Sequence, residues 1–151
     1  ELLREIRALY ASIGAAFGKT IEIDPESRSI VFSTDKTLLK RVLGNLVKNA
    51  LEASDADGKV IIGSYMNKSE LVFKVHNSGY MTDDIKARLF RKNISTKGSH
   101  RGIGTHSVRM LTEKYLNGRV EFISDAENGT TFSVFYPLEQ PKTPPENNDG
   151  A

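Results

Sequence analysis

The sequence predicts an α+β fold, a two-layer sandwich in which helices pack on a mixed, mostly antiparallel sheet. Three observations carry this. Leu38–Ser54 reads as one amphipathic helix, with Leu39, Val42, Leu43, Leu46, Ala50 and Ala53 recurring at helical spacing on one face. Two later stretches alternate strictly, with Leu71, Phe73 and Val75 in one and Phe132, Val134 and Tyr136 in the other turned to the same side. Helices and strands follow in segregated order, which favours one sheet covered on one side by helices.

The totals agree with a single domain. A chain of 151 residues buries about 68–70% of its unfolded surface. Its 38% hydrophobic and 26% charged residues fall in the range of a globular chain, at the polar end. No apolar run approaches the roughly 20 residues that cross a bilayer, and no signal peptide is visible. The absence of Cys excludes disulfides and thiolate metal sites. The chain starts at Glu1 inside a helical pattern, so it is expected to be a piece of a longer protein. Its net charge of +2 hides an asymmetry. Ile85–Thr112 holds Lys86, Arg88, Arg91, Lys92, Lys97, Arg101 and Arg109 and no acid, so the remainder is net negative. Such a stretch meets an anionic partner or is a solvated surface.

In order along the chain, Glu1–Ala16 puts Leu2, Ile6, Leu9 and Ile13 on one helical face, so a helix packs there or continues an upstream one. Thr20–Asp24 and Ser29–Phe32 read as short strands joined by a turn at Pro25. Ser33, Thr34 and Asp35 are all candidate N-caps for the central helix, which ends at Asp55-Ala56-Asp57-Gly58. Lys59–Met66 and Glu70–Val75 form a strand pair, and His76–Tyr80 is a turn containing Gly79. Thr82, followed by Asp83 and Asp84, opens a short helix to about Phe90. Arg91–Arg101 lacks periodicity and reads as a loop, after which Gly102-Ile103-Gly104-Thr105 opens a helix that stops at Asn117-Gly118. Arg119–Ser124 and Thr130–Tyr136 form a hairpin through Glu127-Asn128-Gly129. Residues 139–151, rich in Pro and Asn, are expected to be disordered.

Several of these residues carry chemistry. Asn45 and Asn49, one turn apart on the edge of the central helix, stack two carboxamides between core and a polar region. A carboxamide unpaired in a dry site costs about 1–3 kcal/mol, so the pair suits a ligand or a side-chain network; two solvated amides remain the alternative. Gly102 and Gly104 let backbone amides close on phosphates while the following helix presents its N–H groups to them. Because the helix dipole contributes only about 0.3–1 kcal/mol, Lys97 and Arg101 would supply the larger electrostatic share. A Rossmann reading fails, since no strand precedes this glycine pair.

Taken together, NLVKNALEA, HNSGYM, LFRKNISTKG, RGIGTHS and ENGTTFSVFYP resemble, in order and spacing, the N, G1, F, lid and G2 segments and the closing hairpin of sensor histidine kinase catalytic domains. The wider superfamily includes the gyrase, heat-shock chaperone and mismatch-repair ATPases, with the Bergerat-type ATP-binding fold. The resemblance spans Glu1 to Leu138. It implies an ATP-binding catalytic domain that positions Mg²⁺-ATP for transfer to a histidine on an upstream dimerisation domain. A response regulator receiver domain would be the next partner and the full-length protein a homodimer. The location would be cytoplasmic, free or as the inner part of a membrane-bound sensor. By the resemblance, Asn49 ligates Mg²⁺. Asn45 and Lys97 take catalytic roles. Nucleotide contacts fall to Asn45, Asn49, Asn77, Gly79, Phe90, Ser95, Thr96, Lys97, Arg101, Gly102, Ile103, Gly104, Thr105 and Thr130. Asn45 stands where the ATPase relatives carry a Glu general base; an amide takes no proton from water, which favours a kinase over an efficient hydrolase.

Two residues depart from the pattern. Asn77 replaces the Asp whose carboxylate accepts the adenine amino hydrogen, so its Oδ1 accepts without charge or its Nδ2 donates instead. Adenine is expected to bind with weaker discrimination against guanine than a carboxylate would give. The second glycine of the same segment is missing: Met81 replaces it or one residue is deleted. His76, His100 and His106 lack the context of a phosphoacceptor, which is expected upstream of Glu1. Rival readings are a degenerate module of the same fold that binds nucleotide or a protein without kinase activity, and nucleic-acid binding through the basic stretch. The latter has only Phe90 to offer as an aromatic platform, so no nucleic-acid partner is expected.

Overall fold

The computed structural model describes residues 1–54, 57–84 and 107–138. Its elements are α1 (Leu2–Ala16), β1 (Thr20–Ile23), α2 (Lys36–Ala53), β2 (Lys59–Asn67) and β3 (Glu70–Asn77). A helical stretch α3 follows at residues 107–115, its last turn π-helical over Leu111–Tyr115, then β4 (Arg119–Asp125) and β5 (Gly129–Pro137). The five strands form one mixed sheet in the order β1-β2-β3-β5-β4. Only β1 and β2 run parallel; the other three pairings are antiparallel. The two-layer α+β expectation holds.

Of the three candidate caps, Asp35 starts α2, its Oδ1 accepting the Leu38 N–H at 3.1 Å. The predicted face of α2 is buried at Leu39, Val42, Leu43, Leu46 and Ala50, and Val47 and Leu51 join it. Ala53 does not; it is exposed, one turn beyond Asn49 on the carboxamide ridge. On α1 the apolar stripe is offset from the predicted one. Leu3 and Ile6 are buried while Leu9 is 64% exposed, because Tyr10 rather than Leu9 turns inward. Tyr10 fills the space above Gly44, where a Cβ would meet its hydroxyl at 2.2 Å. That glycine lets α1 and α2 approach closely.

Ser29–Phe32 is not a strand. β1 instead pairs parallel with β2, so the chain crosses over through α2 rather than turning back at Pro25. Residues 24–28 run on beside β2, held by Asp24 N–H to Ile62 O (2.8 Å), Arg28 N–H to Ser64 O (2.8 Å) and Ser64 Oγ to Arg28 O (2.7 Å). These bonds occupy the β2 edge that a second strand would need, and Val31 is left 98% exposed.

The helix-facing side of the sheet is built in cross-strand rows. Leu71 pairs with Tyr136, Phe73 with Val134 and Val120 beyond it, and Val75 with Phe132 and Phe122 beyond it. The Phe122 and Phe132 rings stack at 5.6 Å. Each such row removes several large apolar side chains from water, worth about 1.5–3 kcal/mol per side chain before entropy is counted. Tyr136 Oη and Thr112 Oγ1, both buried, meet at 3.0 Å and satisfy each other. The α3 helix ends at Asn117, at φ 55°, agreeing with the predicted stop. Among the described residues no helix is long and apolar enough to cross a membrane. The predicted tail at 139–151 lies outside the described residues.

Candidate functional site

The apolar rows of the sheet end in a polar one. Register places Asn77 of β3 opposite Thr130 of β5, and Thr130 opposite Ser124 of β4. All three continue the inward alternation, so they face the helices, and they are 2%, 4% and 5% exposed. Buried polar groups need partners, and these find them in the turn after β3. Thr130 Oγ1 donates to Gly79 O at 2.8 Å. Ser124 Oγ lies 2.7 Å from Thr130 Oγ1 and accepts the Met81 N–H at 2.7 Å. Asn77 Nδ2 donates to the same Gly79 O over a longer 3.4 Å.

Counting hydrogens fixes the direction of every bond. A backbone carbonyl only accepts, so the Thr130 hydroxyl hydrogen goes to Gly79 O and the Asn77 amide nitrogen must face that oxygen. Ser124 therefore donates to Thr130, and one of its two lone pairs takes the Met81 N–H. Every fully buried side-chain polar atom among the described residues is satisfied. Asn77 Oδ1 is an acceptor to which no described residue donates, and the second Nδ2 hydrogen likewise meets no described acceptor.

Gly79 is what brings this row to α2. A Cβ there would stand 2.0 Å from the Ala53 carbonyl oxygen and 3.1 Å from Asn77 Nδ2. Only a residue without a side chain lets the turn seat against the last turn of the helix. Asn45, Asn49 and Ala53 follow one another at four-residue spacing, so they form a single ridge that ends where Gly79 sits. Both asparagines are half-buried, and neither carboxamide bonds to a described residue. Gly129, at φ 74°, closes the other side; its missing Cβ would lie 2.3 Å from Asn77 O.

The predicted residues thus divide in two. Asn77, Gly79 and Thr130 come together at the end of α2, where Gly79 meets Ala53, and Asn49 and Asn45 lie one and two turns before Ala53 on the same helix. Phe90, Ser95, Thr96, Lys97, Arg101, Gly102, Ile103, Gly104 and Thr105 lie outside the described residues, as do His100 and His106. His76 is half-buried on the opposite side of the sheet, its Nδ1 2.9 Å from Thr131 Oγ1. The sequence reading missed Ser124 and the Met81 amide. The same period-two alternation that marks Val120 and Phe122 as inward, carried one step further, reaches Ser124.

Two concavities among the described residues lie away from this cluster. One of about 400 Å³ is lined by Arg4, Arg28, Ile30, Phe32 and Phe73; another of about 460 Å³ lies between α1 and β1, along Ala8, Ala11 and Ile21. Neither contains a predicted nucleotide contact.

The pattern of the Histidine kinase-, DNA gyrase B-, and HSP90-like ATPase family matches residues 34–140. The heme sensor protein HssS of Staphylococcus aureus is 28% identical over 126 residues, 82% of this chain and 27% of that protein. The chain therefore spans about a quarter of that curated relative. In three dimensions it is similar to the catalytic domain of histidine kinase ThkA, with a TM-score of 0.79 and 28% identity, covering 91% of this chain and 90% of that one. It is also similar to ThkA in complex with the response regulator protein TrrA, with a TM-score of 0.72, 26% identity, and coverage of 91% and 40%. Because that pattern covers well over half of its length, the chain belongs to the histidine kinase-, DNA gyrase B- and HSP90-like ATPase family.

Proposed function

We propose that this chain is the ATP-binding catalytic domain of a two-component sensor histidine kinase. It would hold Mg²⁺-ATP for phosphoryl transfer to a histidine on a dimerisation domain of the full-length protein, which acts as a homodimer, and thence to a response regulator. The observation that carries this reading is the ridge of Asn45 and Asn49 running into the buried Asn77–Gly79–Thr130 cluster. The similarity to ThkA, alone and with TrrA, supports the kinase and regulator parts.

In this reading the base sits at the cluster, with Asn77 Oδ1 accepting from its exocyclic amine. Asn49 offers its carboxamide oxygen to Mg²⁺, and its half-buried amide, bonded to no described residue, fits that role. Among the described residues no three His, Cys, Asp or Glu side chains converge, so such a cation takes most of its ligands from phosphate and water. Asn45 orients the phosphates without acting as a base. Lys97 and Arg101 neutralise phosphate charge, Gly102, Ile103, Gly104 and Thr105 wrap it, Ser95 and Thr96 bond it, and Phe90 covers the nucleotide; these are carried by the resemblance alone.

Titrating the chain with a fluorescent ATP analogue, with and without Mg²⁺, tests the reading. Saturable binding that tightens with Mg²⁺ and is competed by ATP is expected. Absence of binding would favour the interaction-module alternative. In the full-length protein, ATP should yield acid-labile phosphohistidine, and Asn49→Ala should abolish it.

A further inference from the structure

β1 ends the sheet order, so only one of its two edges meets another strand. Thr20 N–H donates to Gly58 O at 3.3 Å and Asp24 N–H to Ile62 O at 2.8 Å, so every second residue from Thr20 turns its backbone groups to β2. Ile21 and Ile23 therefore turn theirs to the other side, where no described backbone group bonds them. Such an edge is a template for a further strand. We propose that this edge, with the hollow between α1 and β1, is a docking site for an extended acidic segment of a partner protein, taken up as a sixth strand. The inference does not rest on the nucleotide reading above.

The hollow of about 460 Å³ lies beside that edge, with the exposed Ala8, Ala11 and Ala15 of α1 as its wall. From Ala8 to Ala15 the helix runs about 10 Å, and five residues of strand reach about 13 Å, so an added strand places about three inward side chains along it. Main-chain bonds to Ile21 and Ile23 would hold the strand, and the side chains entering the hollow would select it.

Charge decides which segment fits. Arg7 lines the hollow at one end and Lys19 at the other, and among the described residues no acid lines it. The Lys19 ammonium is anchored on Leu51 O, while Arg7 bonds to no described residue. On the opposite face of the sheet Glu22 already has Lys59 at 3.6 Å, so that side asks for no further charge. The complementary segment thus carries acid, aliphatic and acid on its inward face, with uncharged residues between them. A second copy of β1 does not meet this pattern. Its inward residues are Ile21 and Ile23, which answer neither cation, and its one acid, Glu22, falls on the other face.

The peptide acetyl-Glu-Thr-Val-Thr-Glu-amide, titrated into the ¹⁵N-labelled chain, tests the proposal. Saturable shifts of the Ile21 and Ile23 amides are expected, with slower hydrogen exchange at both. The counterpart with Lys in place of each Glu should leave them unmoved, as should the acidic peptide N-methylated at its three central residues. Arg7→Glu should weaken binding of the acidic peptide about tenfold, and Ala11→Trp, which fills the hollow from an exposed helix position, should abolish it. Absence of saturable shifts at Ile21 and Ile23 would overturn the proposal. So would equal binding of the acidic and basic peptides, or binding that survives N-methylation or Ala11→Trp. Protection of the two amides that rises with protein concentration, without peptide, would put a second copy at the edge and overturn it as well. Should Ala11→Trp not fold, the N-methylated peptide decides, since it leaves the protein unchanged.

Discussion

Replacing Gly79 with Ala tests the joint between helix and sheet. The added methyl would stand 2.0 Å from the Ala53 carbonyl oxygen, whereas Cβ contacts under 3.0 Å are essentially never found, so turn and helix must separate by about 1 Å or more. The obstacle is backbone, so no rotamer change relieves it. If the turn holds its place, overpacking costs about 1–3 kcal/mol. If the turn moves, the 2.8 Å bond from Thr130 to Gly79 O breaks and a buried hydroxyl loses its acceptor, again about 1–3 kcal/mol. The protein takes the cheaper course, so the two do not add, and a loss of about 2 kcal/mol follows. For a domain of this size that lowers Tm by roughly 4–8 °C. Either course shifts Asn77 Nδ2, 3.1 Å from the new methyl, and ATP affinity should fall about tenfold or more. Circular dichroism melting and titration with a fluorescent ATP analogue read the two effects. Gly18→Ala is the control: at φ 68° with nothing within 4 Å of its Cβ, it carries backbone strain only and leaves ATP affinity unchanged. A Gly79→Ala protein within 1 °C and twofold of wild type, limits set as about the error of such assays, would refute the reasoning.

Asn49→Ala should remove most of the gain in ATP affinity that Mg²⁺ brings, so that adding EDTA changes the variant's affinity far less than that of wild type. Asn77→Asp should raise the ATP:GTP preference several-fold, since a charged acceptor is roughly twice as strong, while lowering Tm because a carboxylate oxygen replaces the donor facing Gly79 O; parallel ATP and GTP titrations check it. Tyr136→Phe and Thr112→Val should each cost about 1–3 kcal/mol in urea unfolding by orphaning the other hydroxyl, and the double variant less than their sum. Burial holds the Tyr10, Tyr65 and Tyr136 phenols above their ordinary value of 10.0, with Asp24 accepting from Tyr65 as a further cause there. The folded state thus binds these protons more tightly than the unfolded chain. That contribution is complete below the unfolded value and is lost as pH rises past it, so the urea midpoint should drop on the alkaline side of pH 10 and Tyr136→Phe should make the drop shallower.

Periodicity was enough to read the core of α2, both hairpins and the layer architecture, because each is a local pattern imposed by one apolar environment. It failed where a neighbour decided. Leu9 and Tyr10 both fit a helical stripe, and only the gap at Gly44 on another helix selects Tyr10. Ser29–Phe32 has strand-like residues, but the Asp24, Ser27 and Arg28 bonds to β2 hold the edge that a strand would need. Ala53 matches the apolar stripe of α2 yet ends the polar ridge.

The candidate site divides along the same line. By itself the sequence determined which residue types are present and their spacing: an asparagine pair one turn apart, a glycine after β3, and a threonine two residues before the inward Phe132. These are consequences of chain geometry within one element. Tertiary structure alone decided that Asn77, Thr130 and Ser124 share a cross-strand row, that Gly79 seats against Ala53, and that the Thr130 hydroxyl hydrogen goes to Gly79 O. Register between strands distant in sequence, and the counting of donors in a buried cluster, depend on which groups meet in space.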